Sequence, residues 1–201
     1  WDSKNCGRNI VVIFDNPSIA TRKPASRCTD AIRGCHGYLI GYHVFSFEFN
    51  DKPWGSHCMV GICTRKTPLQ ADDYCHLIGA DKYSWGWDIP SRTLYHKGKA
   101  QGPFPVNPDL SSIPRSFSMI VDLFNGILLF DFGEERIEEA FTGETHKCFL
   151  CLFIREIWFF RYECWKTSSV PRCVARLRVF SCTDHERKCE TLQQSAGIEC
   201  W

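Results

Sequence analysis

Hydrophobic and polar residues alternate with a period of two along much of this chain, the spacing of strands that bury one face. "YHVFSFEFN" (42–50) sets Phe45, Phe47 and Phe49 against Ser46 and Glu48. "NIVVIF" (9–14) is a β-branched run that ends at the turn signal Asp15-Asn16-Pro17. "HCMVGIC" (57–63) is a compact apolar strand, and "YSWGWD" (83–88) places Trp85 and Trp87 two apart, on one sheet face. In "FSMIVDLFNGILLFDF" (117–132) two apolar runs flank Asn125-Gly126, which predicts a hairpin with a type I′ turn. "CFLCLFIREIWFFRYECW" (148–165) reads as two strands hinged near Arg155-Glu156. Only residues 69–79 and the tail from about 171 read as helical or irregular.

Short strands separated by turn signals, with no strand–helix alternation, predict an all-β antiparallel sandwich. Near 166–170 the composition turns polar and basic, with Arg172, Arg176, Arg178, Arg187 and Lys188 beyond it. That change predicts a domain over residues 1–166 and a separate, short helical C-terminal segment over 167–201.

With 201 residues, 44% hydrophobic and 14% aromatic, the chain can bury a substantial core, which excludes general disorder. A formal net charge of +1 gives no bulk electrostatic case for nucleic acid or an anionic membrane as partner. The longest apolar run, 148–154, is too short to span a bilayer. The 13 cysteines lie largely within strand-like runs of a chain too large to need staples. They read as mostly reduced thiols of a cytoplasmic protein.

Cys148 and Cys151, three apart on a strand, fall on opposite faces and do not chelate. Cys182-x2-His185-x3-Cys189 has spacing a zinc ion accepts, but no metal and no cofactor is the expectation. No Gly-x-Ser-x-Gly, P-loop or His-Glu-x-x-His occurs, and the chain is not expected to be an enzyme. Trp85 and Trp87 read as packing residues, because large aromatics are recruited chiefly for buried area.

Several blocks carry a family resemblance: "CTDAIRGCHGYLIGYHVFSFEF", "GSHCMVGICT", "PLQADDYCHLIGADKYSWGWD", "LYHKGK" and "FSMIVDLFNGILLFDFGEERIEEAFTG". In order and spacing they resemble the B30.2/SPRY domain of the SPRY domain- and SOCS box-containing proteins. The likeness covers about residues 1–165. It implies a bent, concanavalin-like jelly-roll sandwich and a substrate receptor of cullin–RING ubiquitin ligases. The SPRY domain of such a receptor holds a short extended peptide, in relatives of this type an Asp/Glu-Ile/Leu-Asn-Asn-Asn motif, and its SOCS box docks elongin B/C and a cullin.

The same resemblance implies the peptide pocket. Arg22-Lys-Pro24-Ala-Ser26 matches the family's first segment, with Ser26 where alanine is usual, and Tyr74-Cys-His-Leu77-Ile-Gly79 matches the second. Arg22 would offer a fork of donors, Pro24 a loop ordered before binding, and Tyr74 a ring with a hydroxyl. Leu152-Phe153-Ile154 stands where the family has Val-Trp-Gly, which loses an indole donor and adds bulk. In the tail, "SVPRCVARL" supplies Cys173 and Leu177 to an elongin-binding segment, but Ser169 holds the usual leucine position and the cullin-specifying prolines are missing from 192–198. Two functions stay open: a ligase substrate adaptor, or a SPRY interaction scaffold without ligase coupling.

Overall fold

The computed structural model describes residues 1–49, 57–108, 110, 112–134, 136–143, 150–153 and 174–182, the last two segments as backbone only. The first strands are β1 (Ile10–Ile13), β2 (Asn16–Arg22), β3 (Thr29–Asp30), β4 (Arg33–Tyr38) and β5 (Tyr42–Phe49). They are followed by β6 (Met59–Cys63), β7 (Gln70–Ala71), β8 (Ser84–Asp88), β9 (Thr93–His96) and β10 (Lys99–Pro103). The last are β11 (Ser116–Asp122), β12 (Ile127–Asp131), β13 (Ile137–Phe141), β14 (Leu150–Phe153) and β15 (Val174–Cys182).

A seven-stranded sheet runs β1-β2-β15-β5-β11-β12-β13 and a six-stranded sheet runs β10-β9-β8-β6-β14-β4, with β3 and β7 paired apart from both. Every assigned strand pair is antiparallel. The alternation read in β5 is the burial observed: His43, Phe45, Phe47 and Phe49 are buried and Glu48 is exposed.

The two sheets meet through one apolar cluster, and Trp87 stands near its centre. Its ring lies 5.5 Å from Phe104, 5.4 Å from Phe117, 5.0 Å from Phe130 and 5.6 Å from Phe132, in edge-to-face contacts. The indole N–H donates to the Phe104 carbonyl at 3.0 Å, so burial leaves no donor unpaired. Trp85 stacks on His96, its cross-strand partner, at 4.6 Å. Both tryptophans therefore build the platform, as the sequence pattern indicated.

Two sequence readings change. The β11–β12 connection is a four-residue loop, 123–126, in place of a type I′ turn. The Asp122 carboxylate accepts the backbone N–H groups of Phe124 and Asn125, which holds those residues in a tight turn, and only Gly126 takes a positive φ. The second change lies in the tail. Residues 174–182 form strand β15, not a helix, and pair with both β2 and β5. Ala175, Leu177 and Val179 alternate with Arg176 and Arg178, a period of two that the basic composition obscured. The division expected at 166/167 set this segment outside the sandwich, whereas its backbone pairs inside the larger sheet. The remainder of 154–201 lies outside the described residues.

Candidate functional site

Arg22 ends β2 with its side chain fully buried. Its Nε donates to Asp30 Oδ2 at 2.8 Å and its Nη2 to the Cys28 carbonyl at 3.0 Å. Asn9 completes the cluster: its Nδ2 donates to Asp30 Oδ2 at 2.9 Å and its backbone N–H to Oδ1 at 3.2 Å. A buried ion pair survives only when further hydrogen bonds replace lost water, and here several do so. The fork expected to face a ligand is thus used inside the protein, where it closes the loop between β2 and β3. That loop exposes Lys23, Pro24, Ser26 and Arg27.

A second loop leans against the first. The Tyr74 hydroxyl accepts the Arg27 backbone N–H at 3.0 Å, and Arg27 has a φ of 53°. Thr29 Oγ1 donates to the Asp73 carbonyl at 2.8 Å and accepts the Cys75 N–H at 3.3 Å. Below these bonds, β3 and β7 pair through Thr29–Ala71 and Asp30–Gln70. The Arg8–Asp72 ion pair adds little, since both side chains are well exposed. The 23–28 loop and the 72–75 loop form one surface, with Tyr74 at the seam and 37% exposed.

Leu77 and Gly79 lie beneath that surface. Leu77 and Ile78 are buried in the apolar cluster. A Cβ on Gly86 would meet Ile78 Cγ2 at 2.8 Å, so the bare backbone of β8 is what seats this loop. Gly79 has a φ of +80°, and a Cβ there would lie 2.3 Å from the Tyr95 carbonyl oxygen. Both residues shape the loop from below. His76 lies between Tyr74 and Leu77, with its ring 4.4 Å from Tyr95 and 5.9 Å from His57. Burial, then the neighbouring His57, pushes its pKa below the usual histidine range, although Asp88 opposes the shift.

Comparison with known proteins places this arrangement. No protein-family model matches the chain. SPRY domain-containing SOCS box protein 2 of Mus musculus is 34% identical over 147 residues, covering 71% of this chain and 55% of the relative. SPRY domain-containing SOCS box protein 1 of Homo sapiens is 36% identical over 148 residues, 71% of this chain and 54% of the relative. The crystal structure of the SPRY domain of human HERC1 superposes with a TM-score of 0.59 at 16% identity, over 88% of this chain and 95% of that one. This is a SPRY fold. The chain spans about half the length of the curated relatives it matches.

Within the SPRY sandwich, Leu152 and Phe153 fall on β14, where Leu152 pairs with Ile62 and Phe153 with Arg33. Phe153 is therefore in register with a residue three positions beyond Asp30. Ile154 and Cys173 lie outside the described residues, and Leu177 is on β15 opposite Phe47. The residues that sequence reasoning missed are Asn9, Cys28, Thr29 and Asp30, which hold the loops from within. Cys28, Thr29 and Asp30 stand together as "CTD" just after the Arg22–Ser26 segment, and Asn9 has no sequence signal that joins it to them.

Among the described residues, no group of three or more metal-ligating side chains converges, and Cys6, Cys28 and Cys35 carry free thiols. Among the same residues, no helix is long and apolar enough to cross a membrane.

Proposed function

We propose that this SPRY chain is a protein-interaction adaptor that captures an extended peptide of a target protein on the surface of its 23–28 and 72–75 loops. The carrying observation is the seam between those loops, where the Tyr74 hydroxyl takes the Arg27 N–H and Thr29 bonds both sides of the second loop. A surface ordered in advance lowers the entropy cost of fixing a flexible peptide. Pro24, Ser26 and Tyr74 are the residues this reading places against the peptide, with Leu152, Phe153 and Ile154 at its margin. Arg22, Leu77 and Gly79 act as positioning residues.

In the fuller reading the adaptor is cytoplasmic and recruits elongin B/C and a cullin scaffold through Cys173 and Leu177, so that its target is ubiquitinated. It would then contribute proximity and no chemistry of its own. The similarity to proteins named for a SOCS box supports this reading. The position of Leu177 supports the second one, an interaction scaffold without ligase coupling, because a strand hydrogen-bonded between β2 and β5 does not offer a helical face to elongin.

Anisotropy of a labelled Asp-Ile-Asn-Asn-Asn peptide tests the surface. Saturable binding that Tyr74→Ala abolishes supports peptide capture. Binding that Tyr74→Ala leaves unchanged moves the site elsewhere. Capture of purified elongin B/C by the chain, lost in Cys173→Ala, supports ligase coupling. No capture by the folded chain leaves the scaffold.

A further inference from the structure

Three loops gather at the end of the six-stranded sheet where β6 and β9 finish and β8 and β10 begin. They are 64–69 after β6, 79–83 before β8, and the 97–98 turn between β9 and β10. Backbone bonds tie them together: Thr64 N–H donates to the Tyr83 carbonyl at 2.8 Å, Lys97 N–H to Asp81 O at 3.0 Å, and Gly98 N–H to Gly79 O at 2.8 Å. With Lys99 at the start of β10, they carry five cations, Arg65, Lys66, Lys82, Lys97 and Lys99, all exposed, and a single carboxylate, Asp81.

Asp81 does not pair with Arg65, Lys66, Lys82 or Lys99. Its Oδ1 accepts Thr67 Oγ1 at 3.3 Å, the Tyr83 N–H at 2.8 Å and Ser84 Oγ at 2.8 Å, so it is committed to holding the loops. Among the described residues, no carboxylate lies within ion-pair reach of Arg65, Lys66, Lys82 or Lys99. In a chain whose net charge is only +1, this is a local field with no bulk counterpart.

We propose that this end of the sheet is a second interaction surface, and that it docks an acidic stretch of a polypeptide partner. Charge complementarity of this kind steers encounter and fixes which partner is accepted. A single-stranded nucleic acid fits less well. It needs open aromatic faces on which bases stack, and Tyr83, the aromatic at the centre of the patch, has the Lys66 ammonium 4.9 Å and the Lys82 ammonium 5.3 Å from its ring centroid. The surface shares no residue with the Arg27–Tyr74 seam: β7 separates its 64–69 loop from the 72–75 loop, and buried Leu77 and Ile78 separate that loop from 79–83.

The test is fluorescence anisotropy of labelled octaglutamate with the full chain, repeated with Lys66→Gln/Lys82→Gln/Lys99→Gln and with an oligothymidylate of equal charge. Thermal melting of the variant establishes that it is folded. The expected result is octaglutamate binding that weakens roughly tenfold or more in the variant and falls as salt rises from ~50 to ~200 mM. Absence of octaglutamate binding at low salt overturns the proposal, as does equal binding by the folded variant. Tighter binding of oligothymidylate than of octaglutamate, lost in the variant, also overturns it and makes the patch a nucleic-acid surface. Because these substitutions leave Tyr74 untouched, the outcome is independent of the peptide-capture test.

Discussion

The cluster around Trp87 and the cluster around Asp30 are both buried, and they are held by opposite means. Trp87, on the six-stranded sheet, is surrounded by Phe117 and Phe130 of the seven-stranded sheet and by Phe104 and Phe132 just beyond β10 and β12, and the attraction is non-directional area removed from water. Asp30 is surrounded by donors from Arg22 and Asn9, each with a required angle and partner. An apolar cluster loses stability in proportion to the volume removed. A polar knot loses it by stranding a charge, so either partner of the ion pair is costly to remove alone, while removing both costs little.

Trp87→Ala should show the largest effect, about 4 kcal/mol of lost stability in urea or guanidinium unfolding, since it empties space contacted by several aromatic rings. Asp30→Ala should follow at about 3 kcal/mol, because the Arg22 guanidinium is left without its carboxylate in a buried site. The double change Arg22→Met/Asp30→Leu sharpens the contrast. It should regain most of that loss while leaving peptide capture impaired, because the 22–30 loop is no longer closed in its native form. Full recovery of both would mean that the knot is only packing. Tyr74→Phe, which keeps the ring and removes the acceptor of the Arg27 N–H, should cost about 1 kcal/mol at most. Faster amide exchange at Arg27 would report the open seam.

The smallest effect concerns pH. Burial pushes both His43 and His76 below the usual histidine range, so each is favoured neutral in the folded chain. The unfolded chain then binds more protons below about pH 6.5, and stability present above that value declines as pH falls through it. The urea midpoint at pH 7.5 should exceed that at pH 5.5, and His76→Gln should reduce the difference.

The Trp87 cluster was legible in the sequence because its members recur every second residue on β5, β8 and β12, and that periodicity is what a buried sheet face imposes. The knot was not. Arg22 stands at the end of "IATR"; its partners Cys28 and Asp30 lie six and eight residues ahead, and Asn9, the other donor to Asp30, lies thirteen behind Arg22, spacings that no local pattern encodes. The resemblance assigned Arg22 a ligand-facing role, whereas its guanidinium turns inward onto Asp30 and the Cys28 carbonyl. β15 was misread for a different reason. Its arginines suggested a solvated helix, but alternation with Ala175, Leu177 and Val179 was the stronger signal, and its partners on β5 lie more than a hundred residues away.

Because Arg22 and Thr29 anchor the first loop from within, its five intervening tip residues, Lys23 to Arg27, carry almost none of the fold. Apart from the Lys23 and Arg27 amides, which donate to the Asn9 carbonyl and the Tyr74 hydroxyl, their side chains can be exchanged with little disturbance of what lies beneath. Such a partition is what evolvability requires: under the proposed peptide capture, a lineage can drift through new recognition sequences at positions 23–26 while the frame stays under selection for folding. The same partition makes this loop a natural graft site, where a library of sequences can be displayed on an unchanged sandwich.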